Sequence, residues 1–494
     1  MNNIKSLQIC FKKSINRLAI VFLGLFIAFI SAMSAVPSSA LGTSQPTVQK
    51  QFQGYYNAQN SPPSSVIAAS PYNEVQLLNT GYNIVNRLGN GQSGTLNSFV
   101  NQQGVFLSDP QILWDSYTNR FYFSIMENAG TSSPNEGIVW GYSKTASPSS
   151  PTDFCTYFNN FNYGSVAFPD RQSLGDSANY LLIGDNRYSL SNGYFLGSDL
   201  AWISKPAAGS TSCQTQSSFK TGVTSLHNAD GSNTYLPVPA RQVDASTTDY
   251  VLSTPSYVSA NTLSQFTVNT GGTNGVTVSA AQNISVPTYS YPPYASQAGN
   301  TLAGTKALPL ETIVYLSQVT MSYDPRLGHN VLWTDHTVAG GYGTAVRWYE
   351  INPSKLALDQ VGTISSGSYN VFNASISPDR LVSGPHSAYG NNAVIEFNTS
   401  SLAQYPAIQM ISIKNGQVSP MVTIQKSLGP NVDFTCNQPN IQSCRWGDYT
   451  GTAPDPGASL RYSSGGVWMT NQWNVANIDD QTPVWRTIIW RATP

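Results

Sequence analysis

Apolar and polar positions alternate along this chain in short runs, and one stretch sets the pattern for the others. Residues 104–145, GVFLSDPQILWDSYTNRFYFSIMENAGTSSPNEGIVWGYSKT, read as a strand ending in a turn, a second strand (RFYFSIMEN), a polar loop and a third strand (GIVWGYSK). Aromatic and β-branched residues fill the strands, and Gly, Asn, Asp, Ser and Pro fill the breaks. Variants of the same unit are expected at residues 61–89 and 168–206, and at LPVPARQVDASTTDYVLST with NTLSQFTVN. Further copies follow at VYLSQVTMSYDPRLGHNVLWTDH with GTAVRWYEINP, at YNVFNASISPDRLVSGPHSAYG with NAVIEFN and IQMISI, and at CRWGDYTGTAPDP with GGVWMTNQW and VWRTIIWRA.

The copies share a register. Asp115, Asp176, Asp244, Asp324 and Asp379 each close the first strand of a unit, and six residues upstream stand Asp109, Asp170, Val238, Gln318 and Asn373. Repeats of one strand-turn register predict an all-β fold, a β-propeller of seven blades, with each first strand innermost and its polar upstream end at the channel mouth. A β-sandwich or jelly roll also uses short strands and regular turns, but does not require copies of one register. The last unit supplies three clear strands, whereas residues 47–55, TVQKQFQGY, have no partner near them. That N-terminal strand is therefore expected to complete the last blade, because an open ring would leave two sheet edges unpaired.

The first 40 residues read differently. Lys5, Lys12, Lys13 and Arg17 precede the apolar run LAIVFLGLFIAFISAM, and Ser38, Ser39 and Ala40 supply small residues for cleavage. This predicts a signal peptide over 1–40, an N-terminal segment with the closing strand over 41–60, and one propeller domain over 61–494. An uncleaved anchor is the competing reading, against which the run is short for a span. Beyond it the sequence offers no membrane span. The expected location is secreted, extracellular or periplasmic.

Charge supports that placement. The whole chain has a formal net charge of −1, and loss of the four basic residues of the signal takes it to −5. No basic patch is present, which excludes nucleic acid as a partner. Charged residues make up only 10% of the chain, so Asn, Gln, Ser, Thr and Tyr must carry the surface. Such a composition suits an extracellular protein in an acidic setting.

With Cys10 in the signal, Cys155, Cys213, Cys436 and Cys444 remain. Two disulfides are expected, Cys155 with Cys213 and Cys436 with Cys444, on the ground that the first pair flanks the third blade and the second closes a short loop before the seventh. Zinc would need a C-x-x-C pair or a histidine at ligand spacing, and neither occurs. The loop NADGSN, residues 228–233, offers a few calcium-type oxygens but not a full ligand set, so no cofactor is assigned and structural calcium there is only a candidate.

Familiar catalytic signatures are missing, including G-x-S-x-G, H-E-x-x-H and a glycine-rich phosphate loop. His227, His329, His336 and His386 are the histidines, and the odd spacing of His329 and His336 puts their rings on opposite faces of a strand. Arginine is more informative. Arg171, Arg241 and Arg445 lie near the first strands of three units, so a ring would gather them at the mouth, with Asp109, Asp448 and Tyr449 beside them. Guanidinium groups converging on a pocket suit a carboxylate or sulfate; as a structural alternative they pair with Asp170, Asp244 and Asp448 between blades.

Units such as WDSYTNRFYFS, SYDPRLGHNVLW and RWGDYTGTAPDP resemble the sialidase-like, BNR-type propellers, from residue 61 to the end of the chain. The resemblance implies an arginine triad, for which Arg171, Arg241 and Arg445 stand, a tyrosine nucleophile at Tyr449 and an aspartate acid/base at Asp109. It departs from that pattern in three ways: no glutamate is placed beside the tyrosine, the S-x-D-x-G-x-x-W box is degenerate at residues 322–333, and the F-R-I-P-type motif is absent. The sequence thus points to a recognition module for a glycan or protein ligand, with Tyr- and Asn-rich loops at 157–164 and 289–294 as flat contact surfaces. A carbohydrate-active enzyme, either a sialidase-like hydrolase or a lyase, is the alternative.

Overall fold

The computed structural model describes residues 44–494 apart from 58, 129–135, 162, 164–165, 208, 256–258, 273–274, 383–388, 438–441 and 458–464. The expected signal at 1–40 and His386 lie outside the described residues. The body from Gly42 to Pro494 is one compact unit. No described helix is long and apolar enough to cross a membrane.

The chain forms antiparallel units, numbered here I to VII in order. Sheet I holds Val66–Ala69, Asn73–Leu78, Gly81–Asn86 and Gly91–Gly94, and sheet II holds Phe106–Asp115, Arg120–Asn128, Gly137–Ser143 and Phe154–Asn159. Sheet III follows with Ala167–Asp176, Tyr180–Ser189, Phe195–Ser204 and Thr221–Leu226. Sheet IV has Tyr235–Gln242, Thr248–Thr254 and Ser259–Gly272, the last flanked by Gly275–Val278 and Gln282–Ser290. Sheet V comprises Val319–Asp324, His329–Gly340, Gly343–Asn352 and Ala357–Ile364. Sheet VI comprises Asn370–Pro378, Asn392–Ser401 and Gln404–Lys414, edged by Gln417–Val418 and Val422–Lys426. Sheet VII has Gly451–Pro454, Val467–Asn474 and Trp485–Thr493, and its fourth strand is Thr47–Gln53 from the other end of the chain.

The first strands pack against one another in cyclic order, I on II through VI on VII, and that of VII on that of I. Between IV and V the contact becomes a parallel pairing, Ala240 with Val319 and Gln242 with Met321. The layout is propeller-like. Each inter-sheet space has its own apolar core, which explains why so many strands read as continuous hydrophobic runs. Val66, Ile84, Phe123 and Phe154 fill the space between I and II, and Trp140, Tyr142, Leu181 and Ile203 that between II and III. Trp333, Trp348, Ile376 and Ile395 separate V from VI, and Met410, Met469 and Trp490 separate VI from VII.

The junction of VII with I differs in kind. Ile67 and Ala69 meet Trp468, Ile489 and Phe52 of the N-terminal strand. Beside them Arg87 bridges Glu74 at 3.1 Å and Asp455 at 2.6 Å, and buried Arg491 takes the other oxygen of Asp455. Burial nevertheless pushes the Glu74 carboxyl up to about 8, with Arg87 opposing the shift and the like charge of Asp455 adding to it.

Both cysteine pairs are joined: Cys155–Cys213 with Cα atoms 5.4 Å apart and Cys436–Cys444 at 4.3 Å. Cys155 lies within the outer strand of sheet II and not in a connection, so its bridge staples that strand to the loop of sheet III that carries Cys213. The aromatic loops also differ from expectation. Tyr157 stacks on Trp140, Tyr163 is buried with its hydroxyl on Asp185, and Tyr289 packs edge-on against His336. Their rings fill cores, leaving Tyr294 among the exposed ones.

Candidate functional site

Four of the first strands carry a two-residue β-bulge near their upstream end, where pairing with the second strand slips. The slips fall between Ser108 and Gln111, Asp170 and Ser173, Tyr235 and Val238, and Phe372 and Ser375. In each the first bulged residue has a positive φ: Asp109 at 47°, Arg171 at 55°, Leu236 at 49° and Asn373 at 47°. Non-glycine residues pay for that conformation, so something must hold it. Side chains of the preceding sheet supply the hold: Asp109 N–H donates to Asn79, Leu236 N–H to Asn186 and Asn373 N–H to Thr337. The bulge also explains why an offset of six residues from the turn aspartate misses the mark in sheets III and IV: Arg171 and Leu236, not Asp170 and Val238, occupy the bulged position.

Two of the bulged residues, Asp109 and Arg171, meet side chains from segments far away in sequence. Arg171 Nη2 lies 3.0 Å from Asp448 Oδ1, and its Nη1 donates to the Tyr315 hydroxyl at 2.5 Å. Arg445 Nη2 reaches the other Asp448 oxygen at 2.5 Å, and its Nε lies 3.3 Å from Glu311 Oε2. Tyr449 donates its hydroxyl to Asp109 Oδ1 at 3.2 Å. Asp109, Asp448, Tyr449, Arg171 and Arg445 are thus brought together. The two guanidinium groups converge on one carboxylate.

Arg241 stands apart from this group. It lies farther down the first strand of sheet IV, where Nη2 donates to Gln111 at 2.8 Å, Nη1 to Gln318 at 3.3 Å and Nε to the Leu174 carbonyl at 3.3 Å. Gln318 in turn donates to both oxygens of Thr452 and to the Ile376 carbonyl. These amides and Arg241 form a polar belt across the axis below the mouth. The inter-blade pairings weighed for the arginines occur only in part, since Asp244 pairs with Arg380 and Asp448 with both Arg171 and Arg445.

Glu311 and Tyr315 complete the cluster and were not singled out from sequence. They come from the segment between sheets IV and V, which crosses the mouth. Glu311 N–H donates to the Cys444 carbonyl and Ile313 N–H to Asn373, so the Cys436–Cys444 loop and the sheet VI bulge anchor it. The signal available was the lone glutamate in ALPLETIVYLSQ, in a segment with no strand pattern of its own.

The electrostatics follow from this crowding. Burial, then the like charges of Asp448 and Asp170, push the Asp109 carboxyl up to about 7. Burial also disfavours a charged Asp448, but Arg171 and Arg445 outweigh it and hold its pKa below the usual carboxylate range. Burial, followed by Asp109, drives the Tyr449 phenol well up, so it stays a donor. The cluster therefore combines a fixed carboxylate, two fixed cations and one carboxyl that gains or loses its proton near neutrality.

A cleft of about 460 Å³ opens above it. Its floor includes Asp109, Asp170, Arg171, Arg445 and Asp448, and its walls are rich in amides and hydroxyls, among them Asn60, Asn79, Thr95, Asn97 and Asn128. Phe106 stands on the rim, 61% exposed. The side chains of Arg171 and Arg445 keep 25% and 43% of their surface open. His329 pairs with Asp359, whereas His336 is buried against Tyr349 on the other face, and neither lines this cleft. The NADGSN loop closes on itself, with Asp230 accepting from Ser232 and Asn228 donating to Asn233.

No family model matches the chain, and no curated protein sequence does. Among solved structures it is similar to Trypanosoma rangeli sialidase in complex with sialic acid, at 11% identity and a TM-score of 0.39 over 89% of this chain and 58% of that one. It is also similar to phage phi92 endosialidase, at 9% and 0.40 over 78% and 66%, and to the parainfluenza virus 5 hemagglutinin-neuraminidase ectodomain, at 9% and 0.39 over 91% and 84%. The chain spans little more than half the length of the trypanosomal enzyme, 54% in its complex with the inhibitor DANA. At these identities and scores the reading of the site rests on its own geometry.

Proposed function

We propose that this chain is an exported, seven-bladed, sialidase-like β-propeller that binds a glycan in the cleft at its mouth. The observation that carries the reading is the pairing of wall and floor. Amides, hydroxyls and an arginine-carboxylate cluster present donors and acceptors side by side, and an exposed phenyl ring stands at the rim. Sugars offer the matching combination of vicinal hydroxyls and an apolar ring face. Because Asp448 and Glu311 already offset Arg171 and Arg445, the floor favours a polyhydroxylated ligand over a bare anion.

The rest of the proposal has separate supports. Cyclic packing of the first strands supports seven blades, and the pairing of Thr47–Gln53 with Trp485–Thr493 supports closure by the N-terminal strand. Residues 1–40 act as the export signal, 41–60 carry the closing strand and 61–494 form the single propeller domain; the two disulfides fit an oxidising destination. Removal of residues 41–56 should lower the melting temperature of the entire body in one transition. An unchanged melting temperature would remove closure from the proposal.

Screening the mature protein on a glycan array and with chromogenic glycosides tests the function. Saturable binding is expected, reduced about tenfold or more by Arg171→Met through loss of charge-assisted hydrogen bonds, and more modestly by Phe106→Ala. Binding that survives both changes would place the ligand elsewhere. One observation favours a second reading as a glycoside hydrolase: Asp109, with its carboxyl near 7 and Tyr449 donating to it, has the poise of a general acid/base. Turnover in the same screen, abolished by Asp109→Asn, would select that reading.

A further inference from the structure

We propose a second ligand site on the far side of the polar belt, a recess that takes a short-chain aliphatic carboxylate with its charged end on Arg241. The recess measures about 80 Å³ and is lined by Ile67, Ile112, Trp114, Ala453 and Pro454, with two guanidinium groups facing it, Arg241 and the Asp244-paired Arg380. It is separate from the mouth cleft. Arg241 does not line that cleft, and Arg171 and Arg445 do not line this recess.

The argument begins with an imbalance. A guanidinium carries five N–H donors and is permanently charged, and burying it without a counter-ion is costly. Arg241 spends three donors on neutral acceptors, the Leu174 carbonyl and the side-chain oxygens of Gln318 and Gln111. Among the described residues no carboxylate lies within ion-pair distance of it. Asp176, the acid whose field it feels most, is occupied by Lys205 and by the Gln242 N–H. Elsewhere on or beside the first strands these arginines are matched: Arg171 and Arg445 by Asp448, and Arg380 by Asp244.

Two N–H groups and one net charge are therefore left without a carboxylate partner among the described residues. Burial pulls the Arg241 pKa down to about 10, which still leaves it charged at neutral pH. The apolar walls specify the remainder of the ligand. A bare inorganic anion would leave Ile67, Ile112 and Trp114 without a contact, and a large ligand would not fit; a carboxylate on a short alkyl chain satisfies both ends.

Butyrate is a suitable probe, with butyramide as its uncharged isostere, titrated into the mature protein by ligand-observed NMR. Butyrate should saturate, and butyramide should bind at least tenfold more weakly. Arg241→Gln should abolish the preference for the charged probe, and Ala453→Phe, which fills the recess while keeping Arg241, should abolish binding of both. Arg171→Met at the mouth should leave butyrate binding unchanged. Equal affinity for the two probes, titration without saturation, or butyrate binding that persists in Ala453→Phe would overturn the proposal. The comparison of the two probes on the unaltered protein decides the matter even where a variant fails to fold.

Discussion

The two ends of the same first strands use aspartate for opposite purposes. At the downstream end the carboxylates are consumed. Lys205, 3% exposed, bridges Asp115 and Asp176 at 2.7 Å each, while Asp176 also accepts the Gln242 N–H of the next sheet. Asp379 accepts from the Gly390 N–H and the Asn392 side chain. At the upstream end the Asp109 carboxyl accepts from a phenol at its Oδ1, and Asp448 is held by arginines that remain partly open to a cleft. What separates a structural from a cleft-facing aspartate here is its partner: a buried lysine or backbone N–H satisfies it fully, whereas an accessible guanidinium keeps its other donors open to the cleft.

Breaking the closed end should have the largest effect. Lys205→Met leaves two buried carboxylates facing each other without their cation and is expected to cost about 3–5 kcal/mol, read by chemical denaturation, with glycan binding by the folded fraction unchanged. A loss of binding equal to the loss of stability would mean that the two ends are not independent.

An intermediate effect comes from pH. Burial raises the carboxyls of Asp335 to about 7, Glu350 to about 8 and Asp176 to about 6, all above their unfolded values near 4. The native state then holds protons that the unfolded chain has released. Stability from these groups is fully present below about pH 4 and is lost as pH rises through 6 to 8, by up to about 1.4 kcal/mol per pH unit for each group. Asp448 works the other way, since its lowered pKa gives stability that disappears in acid. Melting temperatures should accordingly rise from pH 8 to pH 5; a flat or opposite profile would contradict the burial of these carboxyls.

The smallest change in stability belongs to the open end. Arg445→Met removes a side chain that is 43% exposed, so its ion pairs should be worth about 1 kcal/mol or less. Its effect should appear in ligand affinity instead. A variant that lost several kcal/mol of stability and bound normally would move Arg445 to the structural side of the comparison.

These distinctions were only partly legible in the sequence. Strand positions, the aspartate register, both cysteine pairs and the unpartnered N-terminal strand could be read, because each depends on local pattern or on one missing element. Arg171, Arg445, Asp109, Asp448 and Tyr449 could be gathered because any ring brings first strands together. The depth of Arg241 could not, since the bulges at Asp109, Arg171 and Leu236 shift the count along each strand by an amount that depends on tertiary hydrogen bonds from Asn79 and Asn186. Glu311 and Tyr315 were invisible for a different reason: they reach the site on a crossing segment whose path is set by Cys444 and Asn373. Tyr157 and Tyr163 looked like surface because their neighbours in sequence are polar, yet Trp140 on the adjoining strand and the buried Asp185 take up their rings and hydroxyls.

The pairing of Thr47–Gln53 with Trp485–Thr493 also dictates an order of events. A chain emerging from its N-terminus presents that strand early and its partner last, so the strand must wait, unpaired, through the synthesis of every sheet between. Its alternation of Val48, Lys50 and Phe52 with Gln and Thr keeps the waiting strand soluble, and five of its seven residues stay exposed even in the finished sheet. Assembly is thus timed by the arrival of the final strand. An interrupted chain would leave Thr47–Gln53 without its partner strand.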